Sequence, residues 1–136
     1  MNKMKVITVA AAIIINEQQQ LLLVRKQGTQ CFMQVGGKLE VGEAADQTLL
    51  REIAEEIGCK AEIQQFIGRF DSTAANEAGH KLVAYLYHVT LTETPSIQAE
   101  IAEMRWLDLS QRDLPLAPLT EEVVLPWVHQ YLHQPA

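Results

Sequence analysis

The chain has 136 residues, of which 48% are hydrophobic and 21% charged, and this composition excludes a disordered, collagen-like or coiled-coil protein. Its length predicts one domain, residues 1–136, with enough apolar side chain to form a core. Lys and Arg number 11 against 17 Asp and Glu, and this formal charge of −6 argues against a nucleic-acid polymer as partner, because such binding neutralises phosphates with basic side chains.

The first predicted element is a strand from Val6 to Ile15. Its apolar core, Val9 to Ile15, is too short to span a membrane, which requires about 20 apolar residues. Lys3 and Lys5 precede it as in a secretion signal, but no small-residue cleavage site follows, which favours a strand. We therefore expect no membrane association.

Leu21 to Val24 is the second predicted strand. It follows the turn-like Asn16-Glu17 stretch, which predicts an antiparallel hairpin with the first strand. A short apolar segment, Cys31 to Val35, then runs into Gly36-Gly37, where the chain can approach other backbone closely, and a loop is expected to follow.

Apolar residues at helical spacing predict a helix from Ala44 to Ile57, with Gly58 at the position that a helix C-terminus prefers for glycine. Downstream, Ala61 to Phe70 and Leu82 to Leu91 are predicted strands, separated by the polar Asp71 to His80 stretch, which predicts a loop.

The C-terminal part contributes one more strand and one more helix. Met104 to Leu107 is the predicted strand, and Trp106 within it is interpreted as a packing residue. Leu119 to Leu132 is the predicted helix, with Thr120 as its N-cap and a kink or break at Pro126. Because strands precede and follow one central helix, we predict an α/β fold with a mixed β-sheet between helices.

The two cysteines, Cys31 and Cys59, form neither a disulfide framework nor a zinc-binding motif. This favours a reducing, cytoplasmic location.

The segment from Gly37 to Cys59 is the most informative part of the sequence. Glu52, Glu55 and Glu56 stand at positions i, i+3 and i+4, so their carboxylates share one face of the predicted helix. Like charges at this spacing oppose helix formation by about 0.2–0.5 kcal/mol per pair, so the cluster is either a solvated acidic face or a cation site. Carboxylate oxygens suit magnesium, manganese or calcium.

The spacing around this cluster resembles the Nudix hydrolase signature, G-x5-E-x7-R-E-U-x-E-E-x-G-U, where U is a bulky aliphatic residue. Its fixed polar and glycine positions all match, at Gly37, Glu43, Arg51, Glu52, Glu55, Glu56 and Gly58. There are two departures: Cys59 fills the last aliphatic position, and Val35 stands where proline is usual before the two glycines. Looser similarity covers Phe32 to Gly36 and Glu100 to Trp106. The resemblance implies a Nudix-type α/β/α sandwich.

The resemblance also implies the roles of the site residues. Glu52, Glu55, Glu56 and the main-chain carbonyl of Gly37 would bind Mg²⁺, with Mn²⁺ as an alternative ion. Arg51 and Glu43 would form an orienting pair. The implied catalytic set is Glu43, Arg51, Glu52, Glu55 and Glu56.

The base that deprotonates the attacking water stays open, because the family has no fixed position for it. Glu55 and Glu56 are candidates within the signature, and Glu77 and Glu100 are candidates outside it. Glu40, in the loop of the signature, either adds to the acidic site or is simply solvated.

Four residues are predicted to bind substrate. Arg25 and Lys26, at the end of the second strand, could meet phosphate oxygens, and the alternative is a solvated terminal pair. Asn76 and Glu77 lie in the predicted loop, where they could determine specificity, and the alternative is an ordinary surface connection.

The implied activity is divalent-metal-dependent hydrolysis of the diphosphate linkage in a nucleoside diphosphate linked to another moiety. A nucleoside triphosphate pyrophosphohydrolase is favoured by elimination, because Ala74 stands where ADP-ribose hydrolases tend to carry proline and Asn76 where diadenosine polyphosphate hydrolases carry tyrosine. The alternatives are a non-catalytic Nudix-fold nucleotide-binding or sensor module and a related isoprenoid diphosphate isomerase. A homodimer is admitted by family analogy alone.

Overall fold

The computed structural model describes residues 5–75, 78–111 and 113–134. They form six strands, a π-helical turn and two α-helices. The strands are β1 (Lys5–Ile14), β2 (Leu21–Lys26), β3 (Val35–Lys38), β4 (Ala61–Thr73), β5 (His80–Leu91) and β6 (Ile101–Leu107). The helices are α1 (Ala45–Ile57) and α2 (Leu125–Leu132), and the π turn (Thr120–Val124) leads directly into α2. No helix among the described residues is long and apolar enough to cross a membrane.

The main sheet has four strands in the order β3-β1-β5-β4. β1 is parallel to β5 and antiparallel to β3, and β4 is antiparallel to β5, so the sheet is mixed as predicted. β2 and β6 form a separate two-stranded antiparallel sheet. The α/β fold with a mixed sheet is therefore confirmed.

The core has two parts, which share the alternating side chains of β1. Ala10, Ala12 and Ile14 pack with the apolar side of α1, at Leu49, Ile53 and Ile57. Ala11 and Ile13 pack with the other helical layer, at Val124, Leu125 and Val128. Burying each such Leu, Ile or Val side chain contributes roughly 1.5–3 kcal/mol. The helical layers thus lie on the two faces of β1.

The predicted helix over the signature is confirmed. Ala44 is extended and its backbone N–H donates to Gln47 Oε1 at 3.3 Å, while Asp46 places a negative charge in the first turn, where the helix dipole favours it. At the other end Gly58 adopts φ of 63° and donates its N–H to Ala54 O at 3.1 Å. Glycine terminates the helix because it adopts the left-handed conformation without steric cost.

The predicted β1–β2 hairpin is wrong. Ile15, directly after β1, forms an isolated antiparallel bridge with Leu21, beside a turn that Asn16 closes by accepting hydrogen bonds on Oδ1. Both edges of β1 are occupied by β3 and β5, so β2 pairs with β6 instead. The turn is a local feature that the sequence predicted, but the sequence did not predict which strand would pair with β2.

The short segment before the glycines is also placed differently from the prediction. Only isolated bridges occur within Cys31 to Val35, and the strand itself, β3, begins at Val35 and contains Gly36 and Gly37. The downstream loop is shorter than predicted, because β4 continues to Thr73.

The C-terminal helix is divided near Pro126, as predicted, but Thr120 is not its N-cap. Leu119 already has helical dihedral angles, and Thr120 lies inside the π turn with its side chain buried. Pro126 stands in the first turn of α2, where its missing N–H is tolerated. The π turn before it is wider than an α-helical turn, and it accommodates the proline without interrupting the run of helical residues.

Gly36→Ala is expected to lower the free energy of unfolding by about 1–3 kcal/mol, the usual cost of overpacking a core. An added Cβ would collide with the backbone of β1, at the carbonyl oxygen of Ala10 and 2.8 Å from the Cα of Ala11. Urea unfolding measures the change. Gly37→Ala is the matched control, because the three atoms nearest to its Cβ all belong to the flexible Glu52 side chain and not to backbone. An equal loss of stability in both variants would contradict this prediction.

Candidate functional site

Arg51 lies at the centre of the charged face of α1. Its Nη2 and Nε donate to the two carboxylate oxygens of Glu43 at 2.9 and 3.0 Å. Its Nη1 donates to Glu52 Oε1 at 3.0 Å and to Glu55 Oε1 at 3.3 Å. A bidentate guanidinium pair of this kind fixes geometry as well as charge. Arg51 therefore links the loop before α1 to two glutamates of the helix.

Glu43 is held in place by two partners. Besides Arg51, the Thr48 hydroxyl donates to Glu43 Oε1 at 2.6 Å. These hydrogen bonds, that from Arg51 first, lower the pKa of Glu43 to about 2. The Glu43 carboxylate raises the pKa of Arg51 in return, so the pair stays ionised at neutral pH.

Glu56 is the buried carboxylate of the face, with 2% of its surface exposed. Its Oε1 accepts a hydrogen bond from the Gly36 backbone N–H at 3.1 Å, whereas its Oε2 has no hydrogen-bond partner among the described residues. Lys26 Nζ lies 3.9 Å from Oε2. Burial raises the pKa of Glu56 to about 7, against the opposing effects of the Gly36 hydrogen bond and Lys26. A buried carboxylate oxygen with no hydrogen bond and an ion pair as long as 3.9 Å is incompletely stabilised, and a bound cation would stabilise it further.

Glu52 packs against the β3 backbone at Gly37. A Cβ added to Gly37 would lie 2.6 and 2.8 Å from the two carboxylate oxygens of Glu52, so only glycine leaves this space free. Burial raises the pKa of Glu52, and the hydrogen bond from Arg51 opposes that effect.

The glutamate face has the chemistry of a divalent-metal site but is arranged around Arg51. In the described residues no three His, Cys, Asp or Glu side chains are grouped closely enough to hold a metal ion, and Arg51 forms ion pairs with Glu52 and Glu55. Glu56 Oε2, which has no hydrogen bond, and the oxygen-only donor set fit Mg²⁺ or Mn²⁺. A bound ion would compete with Arg51 for Glu52 and Glu55.

A cavity of about 350 Å³ adjoins this face. Gly36 and Gly37 line it, as do Lys26 and Glu100, whose Nζ and Oε1 are 4.0 Å apart. The remaining wall is largely apolar and comes from β1, β5 and the segment before the π turn, including Ile7, Val9, Ala11, Met33, Leu82, Ala117 and Leu119. The glycine edge of β3 is therefore where the charged face and the apolar cavity meet.

The structure brings together the charged residues of the signature and Gly37. Gly58 lies apart from them, as the C-cap of α1. Of the predicted substrate residues, Lys26 lines the cavity, whereas Arg25 donates to Thr29 O at 2.8 Å and pairs with Glu103 at 3.3 Å. Asn76 and Glu77 lie outside the described residues.

Three further residues of the sequence predictions are also placed. Glu40 lies 3.6 Å from Arg51, so it belongs to the charged cluster. Glu100 lines the cavity. Trp106 pairs with Leu22 in the small sheet and packs against the core cluster of α1, as predicted.

Sequence reasoning missed two buried polar residues, Gln34 and Thr120, which line the cavity and hydrogen-bond to each other. The signal for Gln34 was its position as the polar residue within the apolar Phe32 to Val35 segment. No comparable signal existed for Thr120, because Ser and Thr near a helix start are typical N-caps.

Arg51→Met is expected to lower the free energy of unfolding, most at neutral pH and progressively less in acid. The folded-state pKa of Glu43 is about 2, below the roughly 4.3 of an unfolded glutamate. Its stabilising contribution is therefore present above about pH 4.3 and lost as the pH falls toward 2. Unfolding free energies of wild type and Arg51→Met, measured from pH 6 to pH 3, should converge in acid. Arg69→Met, which breaks the exposed Arg69–Asp71 pair, is the control. The prediction would be contradicted if the loss of unfolding free energy in Arg51→Met depended on pH no more than the loss in Arg69→Met does.

Comparison with known proteins identifies related sequences. Residues 4–128 match the family model of the NUDIX domain. Over 95 residues the chain is 33% identical to the MutT4 protein of Mycobacterium tuberculosis (strain CDC 1551 / Oshkosh), an alignment that covers 68% of this chain. It covers only 38% of that relative's length.

Solved structures share the fold at lower identity. The crystal structure of the MutT Nudix hydrolase from Burkholderia pseudomallei matches with a TM-score of 0.78 and 23% identity, covering 90% of this chain and 97% of that one. The crystal structure of a UDP-X diphosphatase matches with a TM-score of 0.76 and 24% identity, covering 98% of this chain and 67% of that one.

Proposed function

Since the chain belongs to the Nudix hydrolase family, we propose that it cleaves the diphosphate linkage of a nucleoside diphosphate joined to another moiety, in a reaction dependent on Mg²⁺ or Mn²⁺. The observation that carries the proposal is Glu56. Its buried carboxylate keeps one oxygen without a hydrogen bond, with Lys26 Nζ 3.9 Å away, and Glu52 and Glu55 share the same helix face. When bound, the ion supplies positive charge for the diphosphate and lowers the pKa of a coordinated water.

Each residue of the site has a proposed task. Glu52, Glu55, Glu56 and the carbonyl oxygen of Gly37 hold the ion. Arg51, anchored by Glu43, positions Glu52 and Glu55 through its Nη1.

Lys26 extends its ammonium group beside Glu56 and Glu100, where it can meet a phosphate oxygen entering over Gly36 and Gly37. A carboxylate accepts the proton of the attacking water, and the described candidates for it are Glu55, Glu56 and Glu100.

A nucleoside triphosphate is the favoured substrate. Ligand pockets range from roughly 300 to 1,000 Å³, and the cavity of about 350 Å³ is at the small end of that range. The cavity therefore suits a substrate with one nucleoside better than a dinucleoside polyphosphate, which carries two nucleosides. We further propose that the protein acts in the cytoplasm, which accords with two free cysteines in the described chain.

The test is a phosphate-release screen over nucleoside triphosphates, nucleotide sugars, dinucleoside polyphosphates, ADP-ribose and dinucleotide cofactors. Each is assayed with Mg²⁺, with Mn²⁺ and with EDTA, and coupling enzymes distinguish pyrophosphate from phosphomonoester products. We expect metal-dependent turnover of a nucleoside triphosphate with pyrophosphate released, and its loss in EDTA. Tight nucleotide binding without turnover of any compound would overturn the proposal in favour of a binding module.

A further inference from the structure

Gln34 presents a buried hydrogen-bond donor that no described residue satisfies. The side chain is 6% exposed, it lines the cavity, and its Nε2 has no hydrogen-bond partner. Buried side-chain amides are nearly always paired, so an orphaned one in a cavity wall indicates a partner that arrives with the ligand.

Thr120 fixes the orientation of this amide. Its hydroxyl donates to Gln34 Oε1 at 2.7 Å, and Thr120 itself is fully buried in the π turn. Oε1 accepts this hydrogen bond, which leaves Nε2 as the polar atom of Gln34 without a partner among the described residues. The two residues lie 86 positions apart in the chain, so the contact depends on the fold and not on local sequence.

The position of Gln34 relates it to the charged face. Gln34 is two residues before Gly36, whose N–H binds Glu56, so one short segment borders both the carboxylates and the amide. Phosphates held over Gly36 and Gly37 would leave the nucleoside in the cavity, against walls that are otherwise largely apolar.

We propose that Gln34, oriented by Thr120, selects the nucleobase by donating a hydrogen bond from Nε2 to a carbonyl oxygen at position 6 of a purine or position 4 of a pyrimidine. The inference rests on the proposed function for the identity of the ligand as a nucleotide. A base with an amino group at that position presents a donor to a donor and leaves both unpaired, whereas a keto base pairs.

Two substrate pairs test the selection, ITP against ATP and UTP against CTP, because each pair differs at this position while sharing sugar and phosphates. We expect wild type to prefer the keto member by about tenfold or more in kcat/KM, as sites built to hydrogen-bond a substrate group reject analogues that lack it. Gln34→Met, which keeps the length and removes the donor, should reduce the preference to twofold or less. Gln130→Met makes the same change on the exposed surface of α2 and should leave it unaltered.

Thr120→Val tests the positioning role. It keeps the shape of the side chain but frees the Gln34 amide to rotate, so the base preference should fall while kcat on the amino substrates stays close to wild type. Thermal unfolding of each variant shows whether the fold is retained. An unchanged preference in both Gln34→Met and Thr120→Val would overturn the inference.

Binding of IMP against AMP and of UMP against CMP, measured calorimetrically in EDTA, separates this inference from the proposed function. Keto selectivity in binding that Gln34→Met abolishes, in a protein that hydrolyses nothing, would support the inference and defeat the proposed function. Metal-dependent hydrolysis with less than twofold base preference in wild type would support the proposed function and defeat this inference. Neither binding nor hydrolysis of any nucleotide would defeat both.

Discussion

Glu56→Gln is expected to lower metal-dependent hydrolysis by about 10²–10⁴-fold, the range typical for loss of a group that takes part directly in the chemistry. The amide oxygen of glutamine can still accept the hydrogen bond that Gly36 N–H donates to Glu56 Oε1. Oε2, which has no hydrogen bond, however becomes a neutral NH₂ group, which cannot bind a cation or accept a proton. The loss should therefore appear mainly in kcat.

The same substitution should leave the free energy of unfolding unchanged or slightly raised. Burying the charged carboxylate costs free energy, which the neutral amide avoids. The ion pair with Lys26 is lost as well, but the Lys26 side chain is 33% exposed, so water can solvate its ammonium group. Steady-state kinetics with saturating Mg²⁺ and thermal unfolding measure the two effects. Glu62→Gln, the same change on an exposed residue of β4, is the control. Turnover of Glu56→Gln within threefold of wild type would exclude Glu56 from the chemistry.

The parts of the fold that the sequence predicted correctly depend on local chemistry. The helix from Ala45 to Ile57 follows from apolar spacing, and its end at Gly58 follows from a left-handed conformation that glycine adopts freely. The shared face of Glu52, Glu55 and Glu56 follows from helical geometry alone. These features need no knowledge of the rest of the chain.

Strand pairing was harder to predict, because it depends on which edges are free. Leu21 to Val24 is buried on both faces, and an apolar run of this kind does not specify a partner. The adjacent β1 already pairs on both edges, so β2 joins β6, whose Leu107 stands opposite Leu21. Because β1 and β2 are adjacent in the sequence, a hairpin was predicted. It does not form, because β3 and β5 already occupy both edges of β1.

The charged site was predicted as a set of residues, but its arrangement was not. Spacing placed Arg51 beside the glutamates, yet only the structure shows one guanidinium joining Glu43 to Glu52 and Glu55. The Gln34–Thr120 contact could not be predicted. Gln34 lies in a segment whose pattern is apolar, and Thr120 lies where the pattern indicates a helix N-cap. Long-range contacts between polar side chains leave no periodic pattern in a sequence.

Gly37→Ala is expected to lower kcat/KM by about 10²-fold, since a displacement of about 1 Å in a catalytic group costs that much. The new Cβ would occupy the space of the Glu52 carboxylate, whose Oε1 would lie 2.6 Å away. Glu52 must then move away from β3, and a bound ion would lose this carboxylate as a ligand. Because the clash is with the end of a flexible side chain, the fold should tolerate it.

The comparison with Gly36→Ala separates damage to the site from damage to the fold. At Gly36 the added Cβ meets the rigid backbone of β1, so stability should fall, whereas at Gly37 activity should fall while unfolding in urea stays close to wild type. A Mg²⁺ titration of activity should show Gly37→Ala requiring more metal for half-maximal rate, since Glu52 is displaced as a ligand. A Gly37→Ala protein with wild-type kcat/KM and metal dependence would show that Glu52 works equally well away from β3, and would contradict the prediction.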